Sequence, residues 1–106
     1  MEEIIEIEGA SGRFYRFIRG SSLSTPSDAG NFVFVPKETP SSIVCSGTTA
    51  DLSLAAKFWN EVSAPETRFY IRRNVTKTMR QAEHDDICLK HSPEMVVFEF
   101  EAPAAR

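Results

Sequence analysis

His84, Cys88 and His91 are spaced i, i+4 and i+7, a spacing that puts all three on one face of a helix. Imidazole nitrogens and thiolates are zinc ligands, and three of them with one coordination position open would make a metal site. The competing reading is a packing stripe, in which Ile87, Cys88 and a partly buried histidine face the core and His91 sits near the helix C-terminus, where a cation is favoured. Three ligands on one helix rarely converge on one tetrahedral ion without help from a second element, so packing is the expected outcome.

Positive charge is the second candidate for chemistry. Arg68, Arg72, Arg73, Lys77, Arg80 and Lys90 gather between acid-rich ends that carry Glu2, Glu3, Glu6 and Glu8 on one side and Glu99 and Glu101 on the other. Arg72, Arg73, Lys77, Arg80 and Lys90 are the candidate nucleic-acid contacts of this strip. Against them stands the whole-chain balance, 12 Lys+Arg to 15 Asp+Glu and a net charge of -3. Sequence-independent binding of nucleic acid relies on a basic surface that releases counterions, so solvated faces of a strand and a helix are the expected reading. Phe14, Phe17, Phe32, Phe34, Phe69, Tyr70, Phe98 and Phe100 are potential base-stacking platforms. Only Arg13, Arg16 and Arg19 interleave with them, and aromatics on alternate strand positions are expected in the core of a small sheet.

These residues need elements to hold them. Residues 3–8 and 13–19 alternate and flank Gly9-Ala10-Ser11-Gly12, which predicts a β-hairpin. Residues 20–30 are turn-forming and polar and predict a mobile surface loop. Residues 31–35 and 43–46 predict short strands, separated by a segment whose Pro36 and Pro40 cannot sit inside a paired central strand. Thr48 is placed to cap a helix running to about Val62, with Asp51 near its positive end and Leu52, Ala55, Ala56, Trp59 and Val62 as its buried face. Pro65 closes that helix, residues 67–73 predict a strand, and a second helix over 76–91 ends before Pro93. A last strand over 95–101 and a fraying tail complete the order β-β-β-β-α-β-α-β, an α+β domain with a mainly antiparallel sheet.

At 106 residues, with 42% hydrophobic and 25% charged residues, the chain is sized for a single domain over 1–106 with one core. No apolar run approaches the roughly 18 residues of a membrane span, which excludes a helical membrane anchor in this sequence. Met1-Glu2-Glu3 is acidic where a signal peptide is basic, and two cysteines, Cys45 and Cys88, are too few for a secreted disulfide framework. The expectation is a soluble cytoplasmic protein, in which the sequon Asn74-Val75-Thr76 carries no glycan.

Several local patterns recur in one order. Gly30-Asn31-Phe32 continues into Val33-Phe34-Val35-Pro36, Cys45-Ser46-Gly47 leads into Thr48-Thr49-Ala50-Asp51-Leu52, and His84-Asp85-Asp86-Ile87-Cys88 is followed by Pro93. In this order and spacing the span 30–95 resembles the GIY-YIG endonuclease domain, a compact three-stranded sheet flanked by helices. The leading hairpin (1–29 with its loop) resembles an N-terminal extension of some members, and 96–106 forms the terminal strand and tail.

The resemblance implies cleavage of a phosphodiester with one divalent metal, held by a helix glutamate and assisted by tyrosine and arginine. Here the two tyrosine positions hold Phe32 and Cys45, the arginine position Ala55, the glutamate position His84, and the asparagine position after the proline Val96. Phe32 has no hydroxyl to pass a proton, Ala55 cannot clamp a phosphate, and neutral imidazole is a poor ligand for hard Mg²⁺. The implied protein is a non-catalytic binding or interaction module with weak nucleic-acid affinity, needing no cofactor and serving a protein partner or a nucleic acid. The alternative is a divergent Mg²⁺- or Mn²⁺-dependent nuclease on DNA, with Glu83, Asp85 or Asp86 supplying the metal carboxylate; Glu83 lies about 100° round the helix from His84 and should point elsewhere. A further alternative is a metal or thiol site on Cys45, His84, Cys88 and His91, since the resemblance implies that Cys45 and His84 face one cleft.

Overall fold

The computed structural model describes residues 3–21, 24–39, 42–62 and 66–101. β1 (Ile4–Glu8) and β2 (Phe14–Arg19) form the leading hairpin, in register from Ile4 opposite Ile18 to Glu8 opposite Phe14. Its turn places Gly12 at φ 87°, a left-handed conformation that glycine adopts without steric cost. β3 (Gly30–Pro36), β4 (Cys45–Thr49), α1 (Leu52–Val62), β5 (Thr67–Arg73), α2 (Lys77–His91) and β6 (Met95–Phe100) follow. The result is the expected α+β domain, with a six-stranded sheet in the order β1-β2-β5-β3-β4-β6. All pairings are antiparallel except β4 with β6.

The sheet carries one helix on each face. Side chains alternate across it, so Phe32, Phe34, Cys45, Phe69 and Ile71 meet Leu52, Ala55 and Ala56 of α1. Val33, Val35 and Tyr70 point the other way and join Ile7, Tyr15, Phe17 and Ile43 with Ile87 of α2. β3 lies between β4 and β5 under both helices, and its Asn31, Phe32, Val33, Phe34 and Val35 are all buried. The core reading of the aromatics holds for Phe17, Phe32, Phe34, Phe69 and Tyr70, whereas Phe14 and Phe98 are exposed. Trp59 packs against the α1-side core as expected, stacked on Phe69 at 5.5 Å between ring centroids, and its Nε1 donates to Thr67 Oγ1 at 3.1 Å.

Three local expectations are corrected. Thr48 does not cap α1: Thr48 and Thr49 are buried in β4, opposite Asn31 and Gly30. The sheet ladder outcompetes the cap there, and Asp51 takes over, its Oδ1 accepting from the Ser53 N–H at 2.9 Å. The fourth strand accordingly runs over Cys45–Thr49, later than the expected 43–46. Val62, the last residue of α1, is 51% exposed rather than buried. The expected helix stop at Pro65, the proline at Pro40 and the fraying tail over 102–106 lie outside the described residues, as does part of the loop over 20–30. No helix among the described residues is long and apolar enough to cross a membrane.

Candidate functional site

α2 packs with an unusual inner face: its buried residues are Arg80, His84 and Ile87. Two polar residues out of three require partners, since an unpaired buried polar group costs about 1–3 kcal/mol. Arg80, with its side chain 6% exposed, holds Glu99 in a two-pronged ion pair, Nη2 to Oε1 at 2.8 Å and Nε to Oε2 at 2.9 Å, and also donates to the Val75 carbonyl. The Arg80 hydrogen bonds hold the Glu99 carboxyl below its ordinary range. Glu99 reaches this position through a bulge in β6: its φ is 50°, its N–H donates to Thr48 Oγ1 at 2.8 Å, and the β4 register shifts between Gly47 and Thr49.

The polar contacts continue along the flank of α2 that faces the hairpin and β5. Asn31 Nδ2 donates to the Arg80 carbonyl at 2.8 Å, and Asn74 bridges Asn31 Oδ1 and Glu83 Oε1. Glu83 takes Arg72 Nε at 2.7 Å, while the Arg72 guanidinium lies 5.5 Å over the Tyr15 ring. Tyr15 Oη donates to Asp86 at 2.7 Å, and Ser11 adds two hydrogen bonds to the same carboxylate, which together pull the Asp86 carboxyl below its ordinary range. Burial, then the Asp86 hydrogen bond, pushes the Tyr15 hydroxyl up. Gly9 permits this approach, because a Cβ there would lie 2.0 Å from Asp86 Oδ2. Further along, Lys90 pairs with Glu8 at 3.0 Å, and His91 Nε2 lies 2.8 Å from the Glu8 carbonyl.

The other flank of α2, toward β4 and β6, is arranged differently. Ser46 Oγ lies 3.1 Å from His84 Nδ1, a hydrogen bond in which either partner can donate, and Cys88 Sγ lies 3.6 Å from His84 Nε2. Burial lowers the His84 pKa and raises that of Cys88, so both are neutral at pH 7. Past this pair an open hollow of about 360 Å³ is lined by Asp85, Cys88 and Leu89. Val96 is paired with Ser46, and the Phe98 ring lies 6.1 Å from His84, so both extend this surface onto β6, each 55% exposed.

The candidate residues therefore separate. Phe32, Cys45 and Ala55 meet under α1, but His84 lies across the sheet under α2, so the expected shared cleft of Cys45 and His84 is not formed. Alternation is the reason: Cys45 pairs with Phe34 and shares its face, while its neighbour Ser46 pairs with Val33 on the α2 side. Burial pushes the Cys45 thiol up to about 12. Of the metal trio, His84 and Cys88 touch and His91 turns to Glu8; among the described residues no group of three or more His, Cys, Asp or Glu could hold a metal ion.

The basic strip is largely tied up. Arg72, Arg80 and Lys90 are paired as above and Arg73 with Asp28 at 2.5 Å, which leaves exposed Lys77 outside any ion pair among the described residues. Glu83 does point away from His84, as its angular offset requires, and Asp86 is held by Ser11 and Tyr15. Sequence reasoning missed the Tyr15–Asp86 clasp, Glu99 and the apolar surface of β6. The last had a signal: Met95, Val96, Val97 and Phe98 are consecutive apolar residues where a half-solvated strand alternates. No protein-family model, curated protein or solved structure matches this chain.

Proposed function

We propose that this protein is a non-catalytic binding or interaction module on a GIY-YIG-like plan. The observation that carries the reading is where its functional groups are spent. Most guanidinium and carboxylate groups beside α2 pair with one another, the imidazole is buried and neutral, the half-buried thiol is neutral, and large apolar side chains meet water: Leu89 on α2 and Val96 and Phe98 on β6. Contiguous apolar surface of this kind is a mark of a recognition site. Nucleic-acid affinity on this reading is weak and salt-sensitive, because the arginines of the strip already have carboxylate partners.

The test has two arms. Labelled single- and double-stranded DNA incubated with Mg²⁺ or Mn²⁺ should remain intact. A random-peptide display selection against the folded protein should enrich a defined class of peptides that no longer bind the unfolded chain. Cleavage abolished by Asp85→Asn would establish the nuclease alternative instead, since Asp85 is the α2 carboxylate of the three outside any side-chain hydrogen bond or ion pair among the described residues.

A further inference from the structure

β6 is an edge strand, and the direction of its backbone groups follows from one hydrogen bond. The Met95 N–H donates to the Val44 carbonyl at 3.0 Å, so the polar groups of Met95 face β4. By alternation those of Val97 do also, and those of Val96 and Phe98 face away from the sheet, where no described strand lies. The same two residues carry exposed apolar side chains, and the Phe98 ring lies 6.1 Å from His84 of α2. An edge of free hydrogen-bonding groups flanked by exposed apolar side chains is the layout that accepts an extended peptide as an added strand.

The charge around this edge selects the occupant. Asp85, Glu94 and Glu101 border it, all exposed and none in an ion pair among the described residues. A second copy of this chain would bring the same three carboxylates to the seam, and the bulge at Glu99 cuts short the ladder that two β6 strands could share. A strand that alternates basic and apolar residues answers both features: its amides meet the Val96 and Phe98 groups, its apolar side chains cover the exposed Val96 and Phe98 side chains, and its cations offset the border. We infer that the β6 edge binds an extended peptide of alternating basic and apolar residues by strand addition, with Val96 and Phe98 meeting its apolar side chains. This rests on the binding-module reading and names its surface.

The experiment is fluorescence anisotropy with a short dye-labelled peptide of alternating lysine and valine. Three changes are compared: glutamate for lysine, methylation of alternate backbone nitrogens in the peptide, and Val96→Pro in the protein. Proline removes an outward N–H that β4 does not use, a position where edge strands tolerate it. The lysine peptide should bind, the glutamate and N-methylated peptides should not, and Val96→Pro should weaken binding about tenfold. Equal binding of the N-methylated peptide, no binding of the lysine peptide, or a concentration-dependent dimer that Val96→Pro disperses overturns the inference. If display-selected peptides bind and Val96→Pro leaves them unaffected, the edge is wrong and the binding-module reading stands; if the selection enriches nothing, that reading falls with it.

Discussion

The two flanks of α2 carry opposite arrangements on one helix. Toward the hairpin, Glu83, Asp86 and Lys90 each reach a partner on another element, respectively Arg72, Tyr15 with Ser11, and Glu8. On the other side Asp85 and Leu89 reach no partner on another element among the described residues, and on β6 Val96 and Phe98 are exposed. The first flank is closed by groups that are costly to leave unpaired. The second keeps apolar surface in water, which folding by itself does not favour. The contrast separates what holds α2 in place from what it leaves available.

Substitutions should grade along this contrast. The largest effect is expected for Glu99→Ala, which leaves Arg80 buried without its carboxylate and should cost about 3–5 kcal/mol in urea unfolding; a loss under about 1 kcal/mol would mean that water replaces the carboxylate. Tyr15→Phe removes one hydrogen bond from the closed flank and should cost about 1 kcal/mol. Lys90→Ala breaks an exposed ion pair, with side chains 41% and 38% exposed, and should cost under about 0.5 kcal/mol. Leu89→Ala, on the open flank and 77% exposed, should change stability by less than about 0.5 kcal/mol. A large stability loss from Leu89→Ala would show that the open flank is part of the core.

Acid should act through the same groups. The folded pKa of His84 lies below its ordinary 6.5, so the stability it contributes is present above 6.5 and is lost as the pH falls through the folded value. The folded pKa of Glu99 lies below its ordinary 4.5, which places its loss at lower pH. Unfolding free energy measured against pH should therefore fall in two stages, and His84→Gln should remove the upper one. The thiols divide by face: a reagent at neutral pH should modify Cys88 slowly and Cys45 only as fast as the protein unfolds, because the Cys45 thiol is enclosed and raised to about 12. Rapid native labelling of Cys45 would contradict the closed α1 face.

The order of elements was legible because turns and periodicity punctuate this chain clearly: Gly9 and Gly12 mark the hairpin, and Leu52, Ala55, Ala56 and Trp59 mark the stripe of α1. The end of β4 was not. Thr48 and Thr49 carry both capping and strand character, and only the long-range pairing with Gly30 and Asn31 decides between them. The candidate site was legible in part. Spacing on α2 correctly brought His84 beside Cys88, but the partners of α2 come from positions as scattered as 8, 15, 46, 72 and 99, which no local pattern connects. The separation of Cys45 from His84 turns on strand parity, since a one-residue difference in register exchanges the faces of a sheet.

The central claim is that β6 offers an uncovered edge to a partner strand, and amide hydrogen exchange at Val96 and Phe98, followed by NMR with and without the lysine–valine peptide, tests it most directly. The expected result is fast exchange at both amides in the free protein, slow exchange at the β4-facing amide of Val97, and marked slowing at Val96 and Phe98 on saturation with peptide. Protection of Val96 and Phe98 in the free protein, or exchange there that saturating peptide leaves unchanged, would contradict it.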